Sequence, residues 1–462
     1  MTLIQSISGI RGTIGGYPGD NLTPVDAVRF AAAYARWLKE RHRDTGKPTV
    51  LTGRDARPSG EMLNRLVSAT LNAMGINVLD AGLSTTPSVE MGVLFHHTQG
   101  GIILTASHNP VAWNALKLLN EQGEFVDADE GAKILHYATE GKFHFETIDK
   151  LGSYQTVEGL IDRHIQAVLE LPLVNLPAIR DKKFRVVVDG VNSTGGIAIP
   201  ALLRALGVEV IELYCEPNGQ FPHNPEPLPE HLTALSEKVI ETGADFGIVV
   251  DPDVDRLAFV CEDGSLFGEE YTLVACADYV LSHTPGNTCS NLSSTRALKD
   301  ITGKYGGNYS AAAVGEVNVV AEMKRTGAVI GGEGNGGVIY PALHYGRDAL
   351  AGTALFLSLL AERNLTAKEL RSLYPSYHIS KNKISIPPSI PVEELLSKVQ
   401  EHYRHAETDT TDGLKIDLPE GWIHLRKSNT EPIIRIYSES TNRQEAGKLA
   451  SAAMQIIRSY LK

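Results

Sequence analysis

The chain has 462 residues, a formal net charge of −12 and an isoelectric point near 5.7. That length exceeds what one hydrophobic core organises and fits three or four domains, and the acidic balance speaks against general binding to nucleic acid or to a membrane surface. No apolar run is long enough for a bilayer, Met1-Thr2-Leu3-Ile4 lacks a signal-peptide pattern, and the scattered Cys215, Cys261, Cys276 and Cys289 show no disulfide or zinc spacing, so a reducing, cytoplasmic setting is expected.

In chain order, Ser8-Gly9-Ile10-Arg11-Gly12 reads as a tight loop presenting a guanidinium. Thr23-Pro24 marks a helix start, and Val28, Ala31, Ala32, Ala35 and Leu38 form its apolar stripe. A strand at 49–52 delivers Gly53-Arg54-Asp55-Ala56-Arg57-Pro58-Ser59. A helix over 59–74 stops at Gly75, a strand follows at 76–79, and Thr86-Pro87 caps the next helix. The short β-branched run 101–104 is a buried strand that ends in Thr105-Ala106-Ser107-His108-Asn109-Pro110. This βαβαβ alternation predicts a parallel sheet with helices on its faces. The pattern restarts with strands at 184–188, 208–213 and 246–250, and again from 257 to about 360, where 349–360 is a strongly apolar helix. From 383 the texture changes to alternating strands at 383–386, 414–418, 422–425 and 433–437, with helices at 392–403 and 443–461. The expected architecture is three consecutive α/β domains with mixed or parallel sheets, over 1–155, 156–256 and 257–376, then an α+β domain with an antiparallel sheet over 377–462, all around one central cleft.

Four stretches carry chemistry. Ser107 falls just past a strand's C-terminal end, where open α/β sheets place their ligands. Asp251-Pro252-Asp253-Val254-Asp255-Arg256 follows another strand, and its alternate carboxylates converge on a point where only a cation relieves their repulsion, with Mg²⁺ the best match to hard oxygen ligands. An EF-hand reading fails at Arg256, which stands where that loop needs glycine. A haloacid-dehalogenase-type phosphatase, with Asp251 as nucleophile and Asp253 as acid, stays open. Gly331-Gly332-Glu333-Gly334-Asn335-Gly336-Gly337 lacks a P-loop's Lys-Ser/Thr ending and offers Glu333 and Asn335 to sugar hydroxyls from a flexible loop. Arg426-Lys427-Ser428-Asn429-Thr430-Glu431-Pro432, with Arg435 beyond it, gathers guanidinium forks and hydroxyls that suit a phosphate monoester.

In this order the motifs resemble those of the α-D-phosphohexomutase superfamily over the whole chain. The resemblance implies an intramolecular phosphotransferase in which Ser107 is the phosphoserine and, with Asp251, Asp253 and Asp255, holds one Mg²⁺. It implies that Arg256, Glu333 and Asn335 bind the sugar phosphate, and that Arg426, Ser428, Asn429, Thr430 and Arg435 grip the phosphate that does not react. Arg11, His108 and Lys117 match positions around the reacting phosphate, with Lys117 or Arg11 moving protons. A glucose or glucosamine 1,6-bisphosphate is the implied activator and a phosphorylated hexose or hexosamine the substrate. The Gly-Glu-Gly-Asn-Gly-Gly form is similar to that of archaeal-type phosphoglucosamine mutases, so hexosamine phosphates are the first expectation and a phosphoglucomutase/phosphomannomutase activity the second. Glu316 adds a carboxylate that would favour a substrate ammonium.

Overall fold

The computed structural model describes residues 2–6, 9–43, 46–387, 390–428 and 432–461. Among these residues the strands form four sheets. The first is seven-stranded, in the order Ile4–Ser6, Gly9–Thr13, Trp113–Leu119, Gly100–Leu104, Thr49–Arg54, Asn77–Leu83, Tyr154–Thr156. Its centre is the expected parallel run, Thr49–Arg54 pairing with Asn77–Leu83 and with Gly100–Leu104. The other half is antiparallel: Trp113–Leu119 lies between Gly9–Thr13 and Gly100–Leu104. That strand carries no clean alternation, because Asn114 and Lys117 are buried polar groups within it. Helix Pro24–Arg41 starts with a reciprocal cap between Thr23 and Asp26. Helix Thr86–His96 is capped by Thr85 rather than Thr86, which leaves the Thr86 hydroxyl to donate to Asp253 Oδ2 at 2.6 Å.

The second sheet runs Leu257–Cys261, Phe246–Val250, Arg185–Asp189, Glu209–Leu213. The expected boundary after residue 256 is corrected by this sheet. Leu257–Cys261 pairs antiparallel with Phe246–Val250 along its full length, with Val250 opposite Leu257, so the acidic motif is the turn of a hairpin rather than a junction between domains. The third sheet runs Tyr309–Ala312, Asn287–Asn291, Ala328–Glu333, Gly337–Ile339. Here the glycine-rich stretch is not a plain flexible loop: Gly331 to Glu333 end one strand, Gly337 opens the next, and Glu333 lies opposite Gly337. Gly332 sits at φ +151°, where a Cβ would meet the Gly337 carbonyl oxygen at 1.9 Å, so only glycine lets the two strands close around Glu333.

Helix Ala349–Arg363 is apolar all round and almost entirely buried, as such a helix must be. Phe356 on it stacks on Phe259 at 3.7 Å between ring centroids, with Phe246 and Phe267 edge-on. The second and third sheets thereby share one core. The fourth sheet, His378–Ser385, Ile433–Ser440, Gly421–Lys427, Leu414–Leu418, Glu407–Asp409, is antiparallel throughout and has its own core. Polar contacts join it to the third unit: Ser293 Oγ to His424 Nδ1 at 2.9 Å, Val314 N to Asp412 Oδ2 at 2.9 Å, and Arg296 N to Glu439 Oε1 at 3.0 Å. A polar junction of this kind permits movement of one unit against the other. Among the described residues no helix is long and apolar enough to cross a membrane.

Candidate active site

The four units meet at a cleft of about 1030 Å³. The first unit contributes Arg11, Ser107, His108 and Lys117. Arg256 comes from the hairpin turn, Glu333 and Asn335 from the third sheet, and Arg426 and Arg435 from the fourth.

Ser107 sits at φ +49°, a left-handed conformation that costs a non-glycine residue about 1–3 kcal/mol unless its surroundings hold it. Arg57 holds it. The buried guanidinium donates to the carbonyl oxygens of Ser107, Asn109 and Pro110 at 2.6 Å each and of Trp113 at 2.9 Å, and its Nε donates to Asp55 Oδ2 at 2.9 Å. Thr105 joins them, donating to Asp55 Oδ2 at 2.7 Å and accepting from Ser107 N at 3.0 Å. So fixed, the Ser107 hydroxyl donates to Asp251 Oδ2 at 2.6 Å.

The Asp251, Asp253 and Asp255 carboxylates are fully buried, with one oxygen of each within 4.8 Å of the others. Val254 at φ +66° makes the turn that aims them together. Asp251 Oδ1 accepts from the backbone of Asp255 and Arg256, each at 3.1 Å. Burial, with Asp255 and Asp253 beside it, pushes the Asp251 carboxyl well above its usual range. Burial would also raise Asp255, but Arg347, Lys117 and Arg256 outweigh it and hold that carboxyl down. Asp253 Oδ1 and Asp255 Oδ1 are buried without a hydrogen-bond partner among the described residues. Unpartnered buried anionic oxygens are costly, and a hard divalent cation is what would satisfy both of them together with Asp251.

Around the acids stands a shell of cations. Lys117 Nζ donates to Asp253 Oδ2 at 2.7 Å and Asp255 Oδ2 at 3.1 Å. Burial disfavours its charge, but the two carboxylates prevail and raise its pKa, so Lys117 is an ammonium and not a resting base. Arg256 pairs with Glu226 at 3.1 Å. Arg11 is lowered by burial and by the nearby Arg256 and Arg435 charges, and its Nε is buried without a partner among the described residues. Like charges brought together in this way invite an anion. Burial, then Arg256, pushes His108 down to about 2, so its imidazole is neutral and lies 3.4 Å from the Ser107 hydroxyl. Across the cleft Arg426 and Arg435 lie opposite each other on adjacent antiparallel strands, Arg426 paired with Asp412 at 2.7 Å. Ser428 is buried at the end of the Arg426 strand. Asn429 and Thr430 lie outside the described residues, as does Ser8.

Glu333 accepts from Asn291 Nδ2 at 2.8 Å and Gly315 N at 3.1 Å through one oxygen, and from Arg347 at 2.9 Å through the other. Asn335 bonds Gly337 N at 3.2 Å, which shapes the turn. Sequence reasoning missed Arg347, which links the sugar side to the acids: it donates to Asp255 Oδ2 at 2.7 Å and to Glu316 Oε2 at 2.9 Å as well as to Glu333. Its signal was the Gly346-Arg347-Asp348 triplet before the apolar helix, a repeat of Gly53-Arg54-Asp55. Asn291 and Thr86 carried no signal. Glu316 lines the cleft, and its oxygens accept from the backbone N–H and the Nε of Arg347, a guanidinium it shares with Asp255 and Glu333.

Comparison with known proteins agrees with this geometry. The chain matches family models described as phosphoglucomutase/phosphomannomutase alpha/beta/alpha domains I, II and III over residues 3–145, 162–264 and 268–377, and the C-terminal domain over 390–456. It is 33% identical to a phosphoglucomutase/phosphomannomutase of Thermococcus kodakarensis, covering 98% of this chain and 99% of that protein. It is 32% identical to a probable phosphoglucosamine mutase of Methanopyrus kandleri, covering 98% and 97%. A crystal structure of a phosphoglucomutase/phosphomannomutase family protein from Burkholderia thailandensis superposes with a TM-score of 0.85 at 26% identity, over 99% of this chain and 98% of that one. Four matched domains in order, around a serine seated on an acidic triad, place the chain in the phosphoglucomutase/phosphomannomutase family of phosphohexomutases, which are intramolecular phosphotransferases.

Proposed function

We propose that the protein interconverts glucosamine 6-phosphate and glucosamine 1-phosphate through phospho-Ser107 and a 1,6-bisphosphate that turns over within the cleft. The observation that carries this reading is the Ser107 hydroxyl, 2.6 Å from Asp251 and facing a cleft with arginines at both ends. Phosphoryl transfer needs positioning and charge neutralisation more than covalent help. Arg57 positions Ser107. Asp251, Asp253, Asp255 and the Ser107 oxygen would hold Mg²⁺, which would neutralise charge on the transferring group. Arg11 and Arg256 hold the reacting phosphate, and Lys117, which keeps its proton at Nζ, donates toward the oxygen that leaves. Glu333 and Asn335 orient the sugar hydroxyls. Arg426, Ser428, Asn429, Thr430 and Arg435 hold the other phosphate, on a unit whose polar junction lets it follow either end of the substrate. The phosphatase alternative needs Asp253 as a proton donor to a leaving group, whereas its Oδ2 already accepts from Lys117 and Thr86.

Relatives named phosphoglucosamine mutase, together with the Gly-Glu-Gly-Asn-Gly-Gly loop, support the hexosamine. A second reading, phosphoglucomutase/phosphomannomutase, is supported by the Thermococcus relative. Steady-state comparison of the 1- and 6-phosphates of glucosamine, glucose, mannose and N-acetylglucosamine with Mg²⁺ tests the choice. The glucosamine pair should give the highest kcat/KM. A clear lead for glucose or mannose phosphates would replace the first reading with the second.

A further inference from the structure

Away from the cleft, side chains from three units converge on a second buried cluster. His164 lies on helix Leu160–Leu169, His344 in the loop after strand Gly337–Ile339, and Asp348 at the start of helix Ala349–Arg363. All three are buried, and one ligand atom of each lies within 4.8 Å of the others. Asp348 Oδ2 is 2.9 Å from His164 Nε2 and 3.2 Å from His344 Nε2, while Oδ1 caps the helix at Leu350 N and Ala351 N. The imidazole rings are close to perpendicular, at 83°.

The far sides of both rings also face polar groups. His164 Nδ1 is 3.0 Å from Ser88 Oγ, and His344 Nδ1 is 3.5 Å from Glu90 Oε2. Glu90 is 1% exposed, and neither of its oxygens, nor His344 Nδ1, has a hydrogen-bond partner among the described residues. Gly346 makes room for this carboxylate, since a Cβ there would meet Glu90 Oε2 at 1.9 Å.

With Glu90 ionised, simple hydrogen bonding leaves this cluster unsatisfied on its Glu90–His344 side. If each Nε2 carries a proton for Asp348, neutral His344 turns a bare Nδ1 lone pair toward Glu90, a carboxyl that burial pushes well above its usual range and that without a cation can meet this lone pair only as the neutral acid. A cation bound at the two Nε2 atoms and Asp348 Oδ2 reverses this. Each ring then carries its proton on Nδ1, and Glu90 receives the N–H it lacks. That is the carboxylate–histidine–metal pattern by which outer groups fix the ligand tautomer. Both imidazoles stay neutral, no electron moves, and the two negative charges of Asp348 and Glu90 are balanced by a dication. Two nitrogen ligands with one carboxylate select against Mg²⁺ and suit Zn²⁺.

We propose that His164, His344 and Asp348, with Glu90 and Ser88 behind them, form a structural Zn²⁺ site that ties the first, second and third units together. The site fixes the loop that carries Arg347, the neighbour of Asp348 and the residue that grips Asp255, Glu316 and Glu333.

The test is zinc retention by the full-length chain. Protein equilibrated with one equivalent of Zn²⁺ in a large excess of Mg²⁺, then desalted, should keep one zinc per chain by elemental analysis. His164→Gln and His344→Gln should each abolish retention, and Glu90→Gln should weaken zinc affinity by about 10–100-fold. Zinc absent from the wild-type protein, or held equally by the two histidine variants, would overturn the proposal. X-ray absorption at the zinc edge of the wild-type protein decides independently of whether the variants fold. Two imidazole nitrogens at about 2.0–2.1 Å are expected, and an all-oxygen shell, the signature of the aspartate triad, would refute the site.

Discussion

The Ser107 hydroxyl donates to Asp251 Oδ2 across 2.6 Å although 144 positions separate the two residues in the chain. With the bonds from Lys117 and Thr86 to the same turn, this bond joins the first unit to the hairpin of the second sheet, and the arrangement of the cleft follows from how each partner is held.

Ser107 depends on Arg57, whose guanidinium N–H groups are taken up by the carbonyls of the Ser107 loop and by Asp55. Lysine keeps the charge but not the planar fork. Arg57→Lys should therefore lower kcat by on the order of 100-fold through misplacement of Ser107, with KM nearly unchanged because Arg57 does not line the cleft. Steady-state kinetics read this split, and an unchanged kcat would show that the loop holds itself.

Arg347 keeps the Asp255 carboxyl low against the effect of burial. Arg347→Gln should raise that pKa, so that protons compete with the cation for Asp255. The Mg²⁺ concentration for half-maximal activity should rise by about tenfold for each unit of pKa that climbs past the assay pH, and should rise more at acid than at alkaline pH. Mg²⁺ titrations at several pH values check it.

His424 sits at the junction of the third and fourth units, between Ser293 and the Asp412 carbonyl. Burial pushes it down to about 4 from 6.5. The unfolded chain therefore binds this proton first, and the stability contributed by neutral His424 is complete above pH 6.5 and is lost as pH falls toward 4. The loss amounts to about 3 kcal/mol. Denaturant unfolding followed from pH 7 to pH 4 should show this slope in the wild-type protein and a shallower one in His424→Gln.

Phe356 stacks on Phe259 where the second and third sheets share a core. Phe356→Ala should cost about 3–5 kcal/mol. Both units should lose stability together, read by calorimetry as one lowered transition rather than two separated ones.

Much of this was legible in the sequence where the signal is local. Gly100–Leu104 is short, apolar and β-branched, and the acids at 251, 253 and 255 repeat at a spacing that only a cation explains. The remainder depends on contacts distant in sequence. Lys117 lies in a strand because Gly9–Thr13 and Gly100–Leu104 flank it, not because Trp113–Leu119 alternates. The strand Leu257–Cys261 looked like the start of a new domain until its pairing with Phe246–Val250 made the acidic motif a hairpin turn. The Gly346-Arg347-Asp348 triplet marks Arg347 only faintly, and its importance comes from three carboxylates that only the folded chain gathers around it.

The most direct measurement follows one phosphoryl group. Protein loaded from a phosphorus-labelled hexosamine 1,6-bisphosphate, freed of ligand and digested, should carry the label on Ser107. On mixing the loaded protein with unlabelled glucosamine 6-phosphate and Mg²⁺, the label should pass to the sugar within a single turnover. Label found on Asp251, or released as inorganic phosphate without reaching the sugar, would contradict the account.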